Sequence, residues 1–184
     1  MRIAVSACLL GEKCKYNGGD NRNARVINFV QGHEVIPVCP ERAAGIPSPR
    51  PPVEIRHGRL VDCHGRDVDA CYRAGVARTI DMLGEAPVDL AILQPRSPTC
   101  GVHQVYDGTF SGVRTEGRGI LAQALAERGI PLREPEELCA PAFTTPPAYT
   151  CAKTWHTRSP GAPGGRFCQF PPAQSGGNSP APHR

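Results

Sequence analysis

The sequence predicts an α/β domain: a small, mainly parallel sheet flanked by helices, ahead of a proline- and glycine-rich C-terminal tail. Two observations carry this. Apolar runs of strand length at 3–9, 35–38 and 88–93 each end in glycine, proline or a polar loop, as strands buried on both faces do. Segments between and after them carry apolar residues at helical rather than alternating spacing.

Taken in order, "IAVSACL" reads as the first strand and "VIPV" as the second. Residues 53–55 and 60–62 flank "RHG" and suggest a small hairpin. In 68–83, Val68, Cys71, Val76, Ile80 and Leu83 recur at roughly helical spacing, with Asp67 positioned to cap. Residues 88–93 form the third strand, and 105–113, around "YDGTFSG", suggest a second hairpin. A second helix at 119–128 carries Ile120, Leu121, Ala124 and Leu125 and stops at Gly129, before a short last strand at 130–133. There is no internal repeat.

Residues 1–138 are expected to form one domain. From 139 to 184 the chain holds nine of its twenty prolines and no periodicity. Such a stretch buries too little apolar surface to offset its ordering entropy, so a disordered tail is expected. All of the chain's excess charge lies there: Lys153, Arg158, Arg166 and Arg184 face no Asp or Glu, and the remaining 17 Lys and Arg balance the 17 Asp and Glu. Nothing in this formally neutral stretch resembles the basic stripe of a dedicated nucleic-acid binder. No run approaches the ~20 apolar residues that span a bilayer, and the opening apolar run is too short for a cleaved signal. A cytoplasmic protein is expected, with reduced thiols. Nine cysteines, an odd count, then point to metal or catalysis more than to disulfides.

Cys8, Cys39 and Cys100 each stand at or after the end of a predicted strand, with Cys14 in the loop after the first. The carboxyl ends of parallel strands share one edge, where ligands bind, so thiols far apart in sequence can meet there. No close pair of zinc type and no closely spaced ferredoxin run is present. Metal or cluster binding, thiol redox or nucleophilic chemistry, and structural packing all remain open. Cys63 and Cys71 read as structural, one in a turn and one on a helix. Glu41, fixed by Pro40 two residues after Cys39, suits acid–base work or a solvated surface. Ser97 suits a ligand hydrogen bond or a turn cap. Arg50, in the stiff "GIPSPRPPVEI" loop, suits an anion or an ion pair with Glu54.

"SACLLGEKCKYNGGDN", "VIPVCPE", "PSPRPPVEI", "SPTCG" and "YDGTFSG" resemble, in order and spacing, the thiouracil desulfurase (TudS-like) family, a bacterial family once catalogued only as a domain of unknown function. The likeness runs from Met1 to about Leu138. It implies a cytoplasmic α/β enzyme with a 4Fe–4S cluster on three cysteines, acting on thiolated uracil or its nucleosides and nucleotides. It makes Cys8, Cys39 and Cys100 the cofactor-binding metal ligands, with Cys14 a possible substitute for Cys8. Glu41 matches the catalytic carboxylate and Ser97 the hydroxyl near the substrate. The open iron would bind the substrate sulfur, and a non-redox, hydrolase- or lyase-like step would replace C=S by C=O and release sulfide. The partner is then a small thiolated pyrimidine, or thiolated RNA; no membrane and no DNA are expected. The tail has no counterpart. Asn17 stands where an aspartate is usual, Ala43 and Ala44 where glycines are, and Gln94, Pro95 and Arg96 where a proline-free stretch with a lysine is. The alternative is a non-enzymatic cysteine metal-binding or redox-sensing module.

Overall fold

The computed structural model describes residues 1–138; the proline-rich extension beyond them lies outside the described residues. Along the chain run β1 (Arg2–Ser6), α1 (Ala24–Phe29), β2 (Glu34–Val38), α2 (Pro40–Ala43), β3 (Val53–Arg56), β4 (Arg59–Asp62) and α3 (Asp69–Leu83). There follow β5 (Leu90–Ile92), β6 (Gln104–Tyr106), β7 (Arg114–Glu116), α4 (Ile120–Glu127) and β8 (Leu132–Arg133), with short 3-10 turns at Ala7–Leu10 and Pro135–Glu137.

The main sheet has the order β2-β1-β5-β8 and all its neighbours are parallel. Ala4 faces Ile36 on one side and Ala91 on the other. Its strands alternate between two cores. Ile3, Val5 and Ile92 pack with Val26, Val30 and Leu138. Ala4, Ala91 and Leu93 pack with Tyr72 and Val76 of α3 and Leu121 and Leu125 of α4. Cover on both faces is why the strand sequences read as continuous apolar runs. The chain leaves central β1 for β2 and returns to the opposite side as β5, so the strand order reverses beside β1. Ligands of open α/β sheets bind at such a point, outside the carboxyl ends of the strands. No described helix is long and apolar enough to cross a membrane.

Several expectations shift in detail. The first strand stops at Ser6, and Ala7–Leu10 turns as a 3-10 helix closed by Gly11 at φ 98°. Ala7 and Leu9 are as buried as the strand, so hydropathy alone does not mark the change. The 53–62 hairpin forms as expected, with His57 and Gly58 at positive φ in its turn. In the second hairpin the returning leg is Arg114–Glu116. Its loop is long because the buried Glu54 accepts the Gly108 and Phe110 N–H groups, each at 3.0 Å, and holds them out of the ladder. Helix α3 buries Tyr72, Gly75, Val76, Thr79 and Leu83, with Cys71 and Ile80 at the margin of that face. The helix starts one residue later than expected, so Val68 and not Asp67 takes the N-cap position, without a side-chain cap bond; Asp67, just before it, accepts the Asp69 N–H at 3.0 Å. Helices α1 and α2, of six and four residues, are too short to show a helical period; the Asn23 side chain caps α1.

Asp62 ends β4 fully buried and accepts the His64 and Arg66 N–H groups and the Arg66 guanidinium at 2.9, 3.0 and 2.7 Å. Burial raises its pKa, but those donors outweigh burial and hold the carboxyl below its usual value. Its contribution is therefore complete above the unfolded pKa of about 3.9 and is lost as pH falls through the lower folded value. Asp62→Ala should destabilise the chain by about 1.5–3 kcal/mol at pH 7, read by urea denaturation. The difference from the parent should narrow below about pH 4. Equal midpoints at pH 7 would remove Asp62 from the account.

Candidate functional site

At the carboxyl edge of the sheet, β1 leads into the turn carrying Cys8, β2 leads directly to Cys39, and the loop after β5 brings Cys100. Cys39 caps the short α2, with Pro40 opening it and Glu41 in its first turn. Two glycines let these segments close up. A Cβ on Gly75 of α3 would overlap the Pro40 carbonyl, and one on Gly119 would overlap Thr99 and sit 2.7 Å from Cys100 N. Gly119→Ala must therefore push the Thr99–Cys100 backbone aside. We expect it to lower stability by about 1–3 kcal/mol and to open buried Cys100 to thiol reagents. An unchanged melting temperature with Cys100 still protected would contradict that packing.

All four candidate cysteines are free thiols, Cys14 and Cys100 buried and Cys8 and Cys39 half-buried. Cys14 hydrogen-bonds with both Cys39 and Cys8. The amide of Asn21 reaches Cys8 Sγ at 3.8 Å. The hydrogen bond with Cys39 pulls the Cys14 pKa down, but the bond with Cys8, burial and the nearby Cys8 and Glu41 outweigh it and push it up to about 12. Cys39 is pushed up by its hydrogen bond with Cys14, then by burial and by Glu41. Cys100 is pushed up to about 12, first by burial and then by Glu41; the Ser6 hydroxyl hydrogen-bonds with it. These three thiols are neutral near pH 7, and a metal centre binding here would displace their protons.

Glu41 is 7% exposed, so it is not the solvated surface carboxylate that its residue type alone allowed. Its Oε2 lies 3.4 Å from Cys39 Sγ, and its Oε1 accepts the Thr99 hydroxyl at 2.9 Å. Arg50 Nη2 stands 3.7 Å from Oε1, with both side chains nearly buried. Arg50 also donates to the Cys14 carbonyl at 3.1 Å and hydrogen-bonds with the Tyr72 hydroxyl. The alternative pairing of Arg50 with Glu54 is not formed, because Glu54 is occupied by the 108–110 loop. Ser97 Oγ accepts from Thr99 N at 3.2 Å and Cys100 N at 3.1 Å, so it caps its turn, and it lies 2.9 Å from Thr99 Oγ1.

Contacts link the candidate residues in pairs: Cys8 and Cys39 with Cys14, Cys39 with Glu41, and Glu41 through Thr99 with Ser97 and Cys100. Arg50, weighed from the sequence for an anion or for Glu54, joins them through Glu41 and the Cys14 carbonyl, and the structure adds Ser6, Tyr72 and Thr99. Thr99 sits inside the "SPTCG" stretch; its hydroxyl lies 3.6 Å from Cys100 Sγ, and its fold-dependent contact with Glu41 distinguishes it. Gln94 adds an unusual atom: its N–H donates to Ser6 Oγ at 3.0 Å, while its Oε1 is buried with no hydrogen-bond partner. A groove of about 720 Å³ lined by Arg96, His103, Arg114 and Arg118 flanks the loop but includes none of the cysteines. Among the described residues no three His, Cys, Asp or Glu side chains converge on a single metal ion.

Comparison with known proteins finds relatives over the same residues. The 2-thiouracil desulfurase family matches residues 3–137. An uncharacterised protein of Bacillus subtilis (strain 168), YbbK, is 34% identical over 146 residues, covering 74% of this chain and 97% of that protein. The solved structure of a [4Fe-4S]-dependent thiouracil desulfidase, TudS, superposes with a TM-score of 0.69 at 32% identity, covering 74% of this chain and 92% of that one.

Proposed function

The chain belongs to the 2-thiouracil desulfurase family, and on that footing we propose that it desulfurates thiolated uracil or its nucleosides and nucleotides, replacing C=S by C=O. The observation that carries the reading is the gathering of thiols from three strand ends around one buried carboxylate.

Cys8, Cys39 and Cys100 are the proposed ligands of a 4Fe–4S cluster, with Cys14 the substitute for Cys8. The donor set fits: soft sulfur, buried at Cys100 and half-buried at Cys8 and Cys39, supplied by three loops at one sheet edge. Bound there, the cluster supplies a soft Lewis-acidic iron that polarises the thiocarbonyl. Glu41 is the proposed general base. Its Oε2 faces the thiols while Oε1 is held by Thr99. The carboxylate takes a proton from the water that adds to the thiocarbonyl carbon and returns it as the sulfur leaves. Thiouracil and water give uracil and hydrogen sulfide, so no electron donor is needed. Ser97 shapes the turn that carries Thr99 and Cys100.

The test is sulfide release by anaerobically isolated, iron-loaded protein from 2-thiouracil, 4-thiouracil, 4-thiouridine and its monophosphate, and thiolated RNA. Catalytic sulfide with loss of the thiocarbonyl absorbance is expected from at least one of the small pyrimidines. Iron-loaded protein that releases none from any substrate would leave a non-enzymatic metal-binding or redox-sensing module.

A further inference from the structure

Glu41 is held asymmetrically, and the hydrogen bonds around it have a direction. Ser97 Oγ already accepts two backbone N–H groups, from Thr99 and Cys100. With its lone pairs engaged, its own proton points to the acceptor 2.9 Å away, Thr99 Oγ1. Thr99, fully buried, then donates its proton onward to Glu41 Oε1 at 2.9 Å. Thr99 Oγ1 also lies 3.6 Å from Cys100 Sγ, but its single proton goes to the shorter contact with the carboxylate, so the chain of donors runs from the turn to Glu41. On the same oxygen Arg50 Nη2 closes from the other side at 3.7 Å, itself held by the Cys14 carbonyl and Tyr72. Oε1 is thus fully committed to the protein. Oε2, against Cys39, is the oxygen presented to the thiol cluster.

We propose that Thr99 is the positioning residue of this site: its hydroxyl, aimed by Ser97, clamps Glu41 Oε1 so that Oε2 alone meets the attacking water. Ser97 then acts through Thr99 and not on the substrate. This rests on Glu41 being the base in the desulfuration proposed above, and it assigns the orientation of that base to a residue whose hydroxyl lies on Glu41 Oε1 and beside Cys100 Sγ; the Glu41 carboxylate band separates the first contact from the second.

The discriminating variants are Thr99→Val, which keeps the shape and removes the hydroxyl, and Thr99→Ser, which restores it. On iron-loaded protein, Thr99→Val should lower kcat about tenfold to a hundredfold, the scale expected when a catalytic group is misplaced. KM should stay within about twofold, and Thr99→Ser should return most of the lost kcat. A general packing defect would not be rescued by the smaller serine. The second readout needs no turnover: the infrared carboxylate band of Glu41, isolated as a difference against Glu41→Gln, should shift in Thr99→Val and return in Thr99→Ser. If the band is unmoved in Thr99→Val, the proposal is overturned whether or not the protein turns over. If the band shifts and returns but wild type desulfurates nothing, the clamp stands and the reaction assigned to the site falls.

Discussion

Replacing Cys39 by alanine should yield a folded chain that holds no cluster and releases no sulfide from any thiopyrimidine. Cys39 joins the two halves of the site. Its thiol hydrogen-bonds with Cys14, lies against Glu41 Oε2, and follows immediately on β2. The side chain is only half-buried, so the fold should lose little, about 1 kcal/mol. Iron retention should fall to background. Cys100→Ala and Cys8→Ala should lose iron and activity alike, whereas alanine at the exposed Cys63 should change neither. Cys14 is the informative member. It stands between Cys8 and Cys39, so loss of iron in Cys14→Ala with full iron in Cys8→Ala would move the ligand role by one loop.

Glu41→Gln should produce the opposite combination: iron intact, turnover lost. A general base supplies about 10²–10⁴ in rate, and glutamine keeps the size and the acceptor for Thr99 while losing the basic oxygen. The same change leaves the Arg50 charge buried without its partner. Breaking a buried pair from one side costs about 3–5 kcal/mol, so rates should be normalised to folded, iron-loaded protein. Activity within tenfold of the parent on that basis would remove Glu41 from proton transfer.

Much of the site was legible before the fold because its parts are punctuated. Cys8, Cys39 and Cys100 follow apolar runs, and runs buried on both faces read plainly as parallel strands. Their shared edge then follows from the parallel topology alone. The supporting contacts were not legible, for a different reason. Thr99 reaches Glu41 across 58 positions of sequence, and Arg50 chooses Glu41 over Glu54 only because the 108–110 loop occupies Glu54. Tyr72 reads as an ordinary core residue of α3 until its hydroxyl is found on Arg50. Local pattern carries elements and their ends; the partner of a buried polar group is a tertiary fact.

The most direct test is the iron and acid-labile sulfide content of the protein isolated without oxygen. About four irons and four sulfides per chain are expected for a cubane, lost together in Cys39→Ala. A folded chain carrying a single zinc, or no metal after reconstitution with iron and sulfide, would contradict the account.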